Sequence, residues 1–229
     1  YMRALDGFQR AGDRWYTAMS HNNIGSVHLT QKRLNDARTR FQEAFDGFTA
    51  VKDTAWMANT ANNLANVFRA EGLLDSAYTY YARAADALER IGDREHAASA
   101  RYNQGNVRLD QDRSADALSL LMRAEELLTG VEDDQTWSMI HVEKGAALAR
   151  LKRFDEAEQE MRTALRMAAQ GGFKKERADA HENLSDLFER MGRADSALVH
   201  LKSFRQWSDS VFTDENNALI ADLQERYES

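Results

Sequence analysis

Apolar residues recur along this chain at intervals of three and four, which is the period of a helix packed on one side and not the alternation of a strand. The same spacing returns with a period of forty, without a gap. Ile24-Gly25 aligns with Leu64-Ala65, Gln104-Gly105, Lys144-Gly145 and Leu184-Ser185. Twelve positions after the small residue stands an alanine each time, at Ala37, Ala77, Ala117, Ala157 and Ala197. Four further on comes a large apolar group, Phe41, Tyr81, Leu121, Met161 or Leu201. Three beyond that are Ala44, Ala84, Ala124 and Ala164, and only Phe204 breaks the series.

A small residue facing an alanine and a large side chain is the pattern of two helices crossing closely, so each copy predicts a helical hairpin. Asp36, Ser76, Asp116, Glu156 and Ser196 precede the alanines, where short polar or acidic groups suit the start of a second helix. Gly12, Gly92, Gly130 and Gly171-Gly172 mark breaks between hairpins, and Gly72 and Gly192 mark breaks within them. The chain has no proline, which fits helices throughout. The segmentation that follows is 1–14 as the second helix of a truncated repeat and 15–54, 55–94, 95–135, 136–175 and 176–211 as five repeats. Residues 212–229 remain as a capping or connecting helix. A single hairpin leaves an apolar face wet, so stacking of neighbours must stabilise the array.

Small residue, alanine at +12, large apolar group at +16 and alanine at +19 resemble the tetratricopeptide repeat (TPR) over roughly residues 15–210. The period of forty resembles its longer-helix subclass. The resemblance implies an all-α, right-handed α-α superhelix whose concave face is lined by the first helix of each hairpin. Tyr1 and Ala4 fall one full period before Phe41 and Ala44, as if the chain began inside an earlier hairpin. At the other end, Phe212, Leu219, Ile220, Leu223 and Tyr227 form a helical stripe. The stretch from Trp207 to Glu228 resembles the junction in bacterial TPR-containing sensor histidine kinases and LuxR-type regulators. The other reading of this stripe is a helix that caps the last apolar face, or a surface for homodimerisation.

Two positions before each small residue stand Asn23, Asn63, Asn103, Glu143 and Asn183. Asparagine inside a helix costs several tenths of a kcal/mol against alanine, so four at one repeat position need a tertiary reason. One reason is a ladder of amides that holds the backbone of an extended peptide, each amide offering a donor and an acceptor. It resembles the ladder at this position in O-linked N-acetylglucosamine transferase and kinesin light chain. The other reason is that each amide bonds the neighbouring helix and never meets a ligand. Asn22, Asn59, Asn62, Tyr102 and Asn106 flank the first half of the ladder. Glu143, Asp179, Glu182, Asp186 and Glu189 flank the second half, with Arg150 and Arg190 at its edge. This acidic half suits a peptide that is basic at one end, or else is a solvated face. A carboxylate clamp is disfavoured, because no Lys or Arg occupies the ladder positions or the residues one before and three after them.

Composition narrows the chemistry. The formal charge of −7 argues against non-specific binding to nucleic acid, which requires cations to displace counterions from phosphates. The absence of cysteine excludes disulfides, thiol nucleophiles and zinc ribbons. No apolar window is long enough to span a membrane. Of the six histidines, His21, His141 and His181 share one repeat position in different hairpins, so they cannot meet at one metal ion; His28, His96 and His200 are the others. No phosphate loop, nucleophile elbow or kinase signature appears, and no cofactor is implied. The expectation is a non-enzymatic module that binds a peptide or protein segment, as the sensing or docking part of a larger bacterial signalling protein. The alternative is a self-assembling scaffold or adaptor without a groove ligand.

Overall fold

The computed structural model describes the backbone of residues 1–228 and the side chains of 1–214, 216–220 and 224. Among the described residues the chain is helical throughout, with α1 at Met2–Ala11 followed by five helical pairs. These are α2 (Arg14–Thr30) with α3 (Leu34–Ala50), α4 (Thr54–Ala70) with α5 (Leu74–Ile91) and α6 (Arg94–Asp110) with α7 (Ser114–Leu128). They continue as α8 (Asp134–Arg150) with α9 (Phe154–Gln170) and α10 (Lys174–Arg190) with α11 (Ala194–Glu228). The chain forms two compact units, Tyr1–Val131 with α1 to α7 and Glu132–Ser229 with α8 to α11.

Most helix starts have a local cause. Asp13, Asp53, Asp93 and Asp133 stand one period apart and cap α2, α4, α6 and α8. Their carboxylates accept from the backbone N–H of Tyr16, Trp56, His96 and Thr136 at 3.0, 3.0, 3.3 and 3.0 Å. The second helices lack such side-chain caps but carry Asp36, Asp75, Asp116, Asp155 or Asp195 in the first turn, where negative charge is favoured.

The turn inside each hairpin passes through a left-handed residue. Gly72 and Gly192 take this conformation at φ 75° and 71°, and Lys32, Asp112 and Lys152 take it at 57°, 56° and 62°. Between hairpins the same role falls to Gly12, Lys52, Gly92 and Gly172. One period after Gly172 stands Phe212, for which a positive φ is costly. There α11 does not turn. It runs on as one 35-residue helix, through the 211/212 boundary at which the sequence reading placed a separate segment.

The crossings are as close as the small residues suggest. A Cβ on Gly25 would lie 2.8 Å from the Phe41 ring, and one on Gly145 would lie 2.5 Å from Met161 Cγ. Phe41, Tyr81, Leu121 and Met161 are at most 1% exposed. Leu201, at the same repeat position in the last hairpin, is 37% exposed. The difference is a matter of neighbours. Tyr81 packs against Ala65 of its own hairpin and Val107 of the following one, whereas no described helix follows α11. The tryptophans at hairpin starts also link neighbours, Trp15 and Trp56 both packing on Phe48. Trp15 further donates its indole N–H to the Asp53 carboxylate at 2.9 Å.

Candidate functional site

The candidate site is the face presented by the first helix of each hairpin. In the first unit it is crossed by side-chain amides. Asn63 on α4 donates its Nδ2–H to Asn22 Oδ1 on α2 at 3.1 Å. One hairpin later, Asn103 on α6 donates to Asn62 Oδ1 on α4 at 3.3 Å. The two bonds are the same bond displaced by one repeat. Asn63 and Asn103 therefore bond the first helix of the neighbouring hairpin. Each such bond uses one N–H, and a side-chain amide carries another together with its carbonyl oxygen. Asn22 is 7% exposed, and Asn23, Asn59, Asn62, Asn63, Tyr102 and Asn103 are half-buried on the same helices.

Three positions beyond the ladder, the hairpins diverge. Asn66 Oδ1 accepts from the Tyr81 hydroxyl at 2.5 Å, and burial is the main cause that pushes this phenol up to about 12. Asn106 occupies the next copy of this place and is 6% exposed, but its counterpart of Tyr81 is Leu121. Its buried Oδ1 has no hydrogen-bond partner among the described residues.

In the second unit the corresponding face is acidic. Asn183 turns back on its own helix, donating to the Asp179 carbonyl at 2.9 Å. Glu143 is half-buried, whereas Glu182, Asp186 and Glu189 are exposed. Burial raises the half-buried Asp179 above its ordinary value. Burial, Asp179 and Asp186 raise Glu182 in the same way. A small cavity of about 90 Å³ lies on this face, lined by Asn183, Asp186, Arg150 and Arg190 among others. The sequence-predicted residues of this unit thus share one face of α8 and α10. Asn183 differs from Asn63 and Asn103 in forming no amide rung to a neighbouring helix.

A second constellation lies where the first helix meets its partner helices. His21 contacts Glu43 at 2.8 Å, and His141 contacts Glu160 at 2.5 Å with Lys144 on the same carboxylate at 2.9 Å. Arg101 replaces histidine at this place on α6 and bridges Asp86 and Glu89 of α5 at 2.5 and 2.8 Å. In the last hairpin His181 meets His200. The sequence reading noted the shared position of His21, His141 and His181 but missed these partners. The signal was present, because Glu160 and His200 each stand 19 residues after the histidine they face. The capping aspartates were also missed, although their regular period is visible in the sequence. Among the described residues no group of three or more His, Asp or Glu is placed to hold a metal ion, and no helix is long and apolar enough to cross a membrane.

Stacked helical hairpins with a close-crossing small residue and a polar first-helix face define a helical-repeat protein. The tetratricopeptide repeat model matches residues 56–129 and 138–203, so the chain belongs to that family. Comparison with curated protein sequences finds no match. Among solved structures, BtubC from P. vanneervenii is similar at 14% identity and a TM-score of 0.78, covering 92% of this chain and 89% of that one. A Rap protein complexed with competence and sporulation factor is similar at 18% identity and a TM-score of 0.70, covering 88% of this chain and 57% of that one. YrrB, described as a TPR protein with an unusual peptide-binding site, is similar at 19% identity and a TM-score of 0.54, covering 83% and 86%. At these identities the likeness is one of fold.

Proposed function

We propose that the first-helix face binds an extended peptide or protein segment, and that the chain serves as the non-catalytic sensing or docking part of a signal-transduction protein. The observation that carries this reading is the repeated amide bond from Asn63 to Asn22 and from Asn103 to Asn62. A bond to the neighbouring helix fixes which way each amide points, so the remaining donor and acceptor are oriented before a ligand arrives. Amide groups match peptide units and ignore side chains. In the second unit, Asp179, Glu182, Asp186 and Glu189 favour a segment that is basic at one end. The likeness in fold to a Rap protein complexed with competence and sporulation factor, and to YrrB with its unusual peptide-binding site, supports the reading.

The test is binding to a peptide library by the native chain and by Asn63→Ala/Asn103→Ala. Loss of at least tenfold in affinity with unchanged melting supports the reading, and unchanged affinity removes it. A second reading, self-assembly through the last helix, is favoured by Phe212, Leu219 and Ile220, which are 66%, 56% and 53% exposed. Leu223 and Tyr227, which the sequence places on the same stripe, lie outside the described side chains. Under that reading Phe212→Glu dissolves an oligomer that the double asparagine variant retains.

A further inference from the structure

His181 on α10 and His200 on α11 face each other with their Nδ1 atoms 2.9 Å apart and their ring centroids 5.1 Å apart. Two imidazole nitrogens at this distance share one proton, one ring donating its N–H and the other accepting with a lone pair. The contact survives as long as one ring is neutral. A second proton removes the acceptor and leaves two cations face to face.

The surroundings do not compensate. Arg177 on α10 and Arg162 on α9 both act on the pair with the same sign as an added proton. Glu158 on α9, the carboxylate that acts on His200, is already held by Arg162 at 2.6 Å and by Arg193 at 3.2 Å. The Phe188 ring, 5.4 Å from His200, adds an apolar neighbour. At the same place in two other hairpins the ring faces a carboxylate, Glu43 beside His21, where Arg40 also lies 3.4 Å away, and Glu160 beside His141.

We propose that the last hairpin carries an acid-released latch, in which full protonation of the His181–His200 pair parts α11 from α10 while the α8–α9 hairpin, whose histidine faces Glu160, stays closed. The inference stands on these two helices and does not depend on what the first-helix face binds. Burial, then His200 and Arg177, pushes His181 from 6.5 down to about 4, and burial with Arg162 lowers His200 against the opposing effect of Glu158. A histidine lowered on folding contributes stability that is complete above its ordinary value of 6.5. That stability is lost as pH falls from there toward about 4.

Hydrogen exchange of the full chain between pH 7.5 and pH 4, corrected for intrinsic rates, tests the latch. The expected result is that α10 and α11 lose at least tenfold more protection than α8 and α9, and that His200→Gln, which can form the single hydrogen bond but not the second cation, keeps it. Equal loss in all hairpins, or the same selective loss in His200→Gln, overturns the proposal. Trp207 on α11, stacked under Arg177 of α10 at 3.7 Å, provides an independent reading in the unmodified protein. If imidazole resonances show the second proton bound while Trp207 emission and α10 protection are unchanged, the latch does not exist.

Discussion

At the scale of single residues, the repeat allows one position to be compared with its own copies. Tyr81 gives Asn66 a buried partner, and Leu121 gives Asn106 none. Tyr81→Phe should therefore cost about 1–2 kcal/mol, because it strands the Asn66 carbonyl away from water. Leu121→Tyr should stabilise by up to about 1 kcal/mol by supplying the missing donor. Denaturant titration of both variants checks the pair, and a loss of stability in Leu121→Tyr would show that the orphan oxygen has another remedy. Asp53 offers a second comparison. It caps α4 and also receives the Trp15 indole, whereas Asp13 caps α2 without an indole on its carboxylate. Asp53→Ala should cost about 2 kcal/mol against about 1 for Asp13→Ala, and equal midpoints for the two variants would remove the indole bond as a stabilising contact.

At the scale of the helix and the hairpin, most of the architecture was legible from spacing. Gly25 lies against Phe41, and Ala37 and Ala44 are buried, as a small residue, an alanine and a large side chain at those intervals predict for a close helix crossing. Helix ends were legible wherever a glycine announced them. They were less so at Lys32, Lys52, Asp112 and Lys152, where residues with no special preference are carried into the left-handed conformation by the turn around them. Partnerships between helices were harder to read. His181 and His200 lie 19 residues apart, and neither residue type specifies the other, since the same interval joins His141 to Glu160. The site was legible as a set of positions but not as a set of bonds. Four asparagines at one place predicted a shared cause, yet only the geometry separates Asn63 and Asn103, which bridge hairpins, from Asn183, which folds back on its own helix.

At the scale of the whole molecule, stability comes from neighbours, and the ends of each series show it. Leu201 is over a third exposed at a place where four equivalent residues are buried. A terminal hairpin closed on one side should open before an interior one, so unfolding monitored by residue-specific exchange should be graded along the chain instead of all-or-none. Uniform protection from α2 to α10 would contradict that expectation. The charge of −7 acts at the same scale: if the acidic second unit holds a basic segment, affinity should fall with added salt, most steeply below about 0.1 M, where screening still changes.

The ungapped period has one more consequence. Because the turn after α3 at Lys52 and the turn after α5 at Gly92 have the same left-handed form, and Asp53 and Asp93 cap the helices that follow, adding one period to a residue number here reaches the same point of the backbone in the next hairpin. Removing residues 53–92 would bring Lys52 directly to Asp93 with helix, turn and cap all in phase, and the shortened chain should fold with one rung fewer. Cutting out a segment with the shorter length of the commoner repeat, about 34 residues, would instead leave the new seam out of phase. Length in this protein is quantised, and its unit is written in the spacing of its alanines.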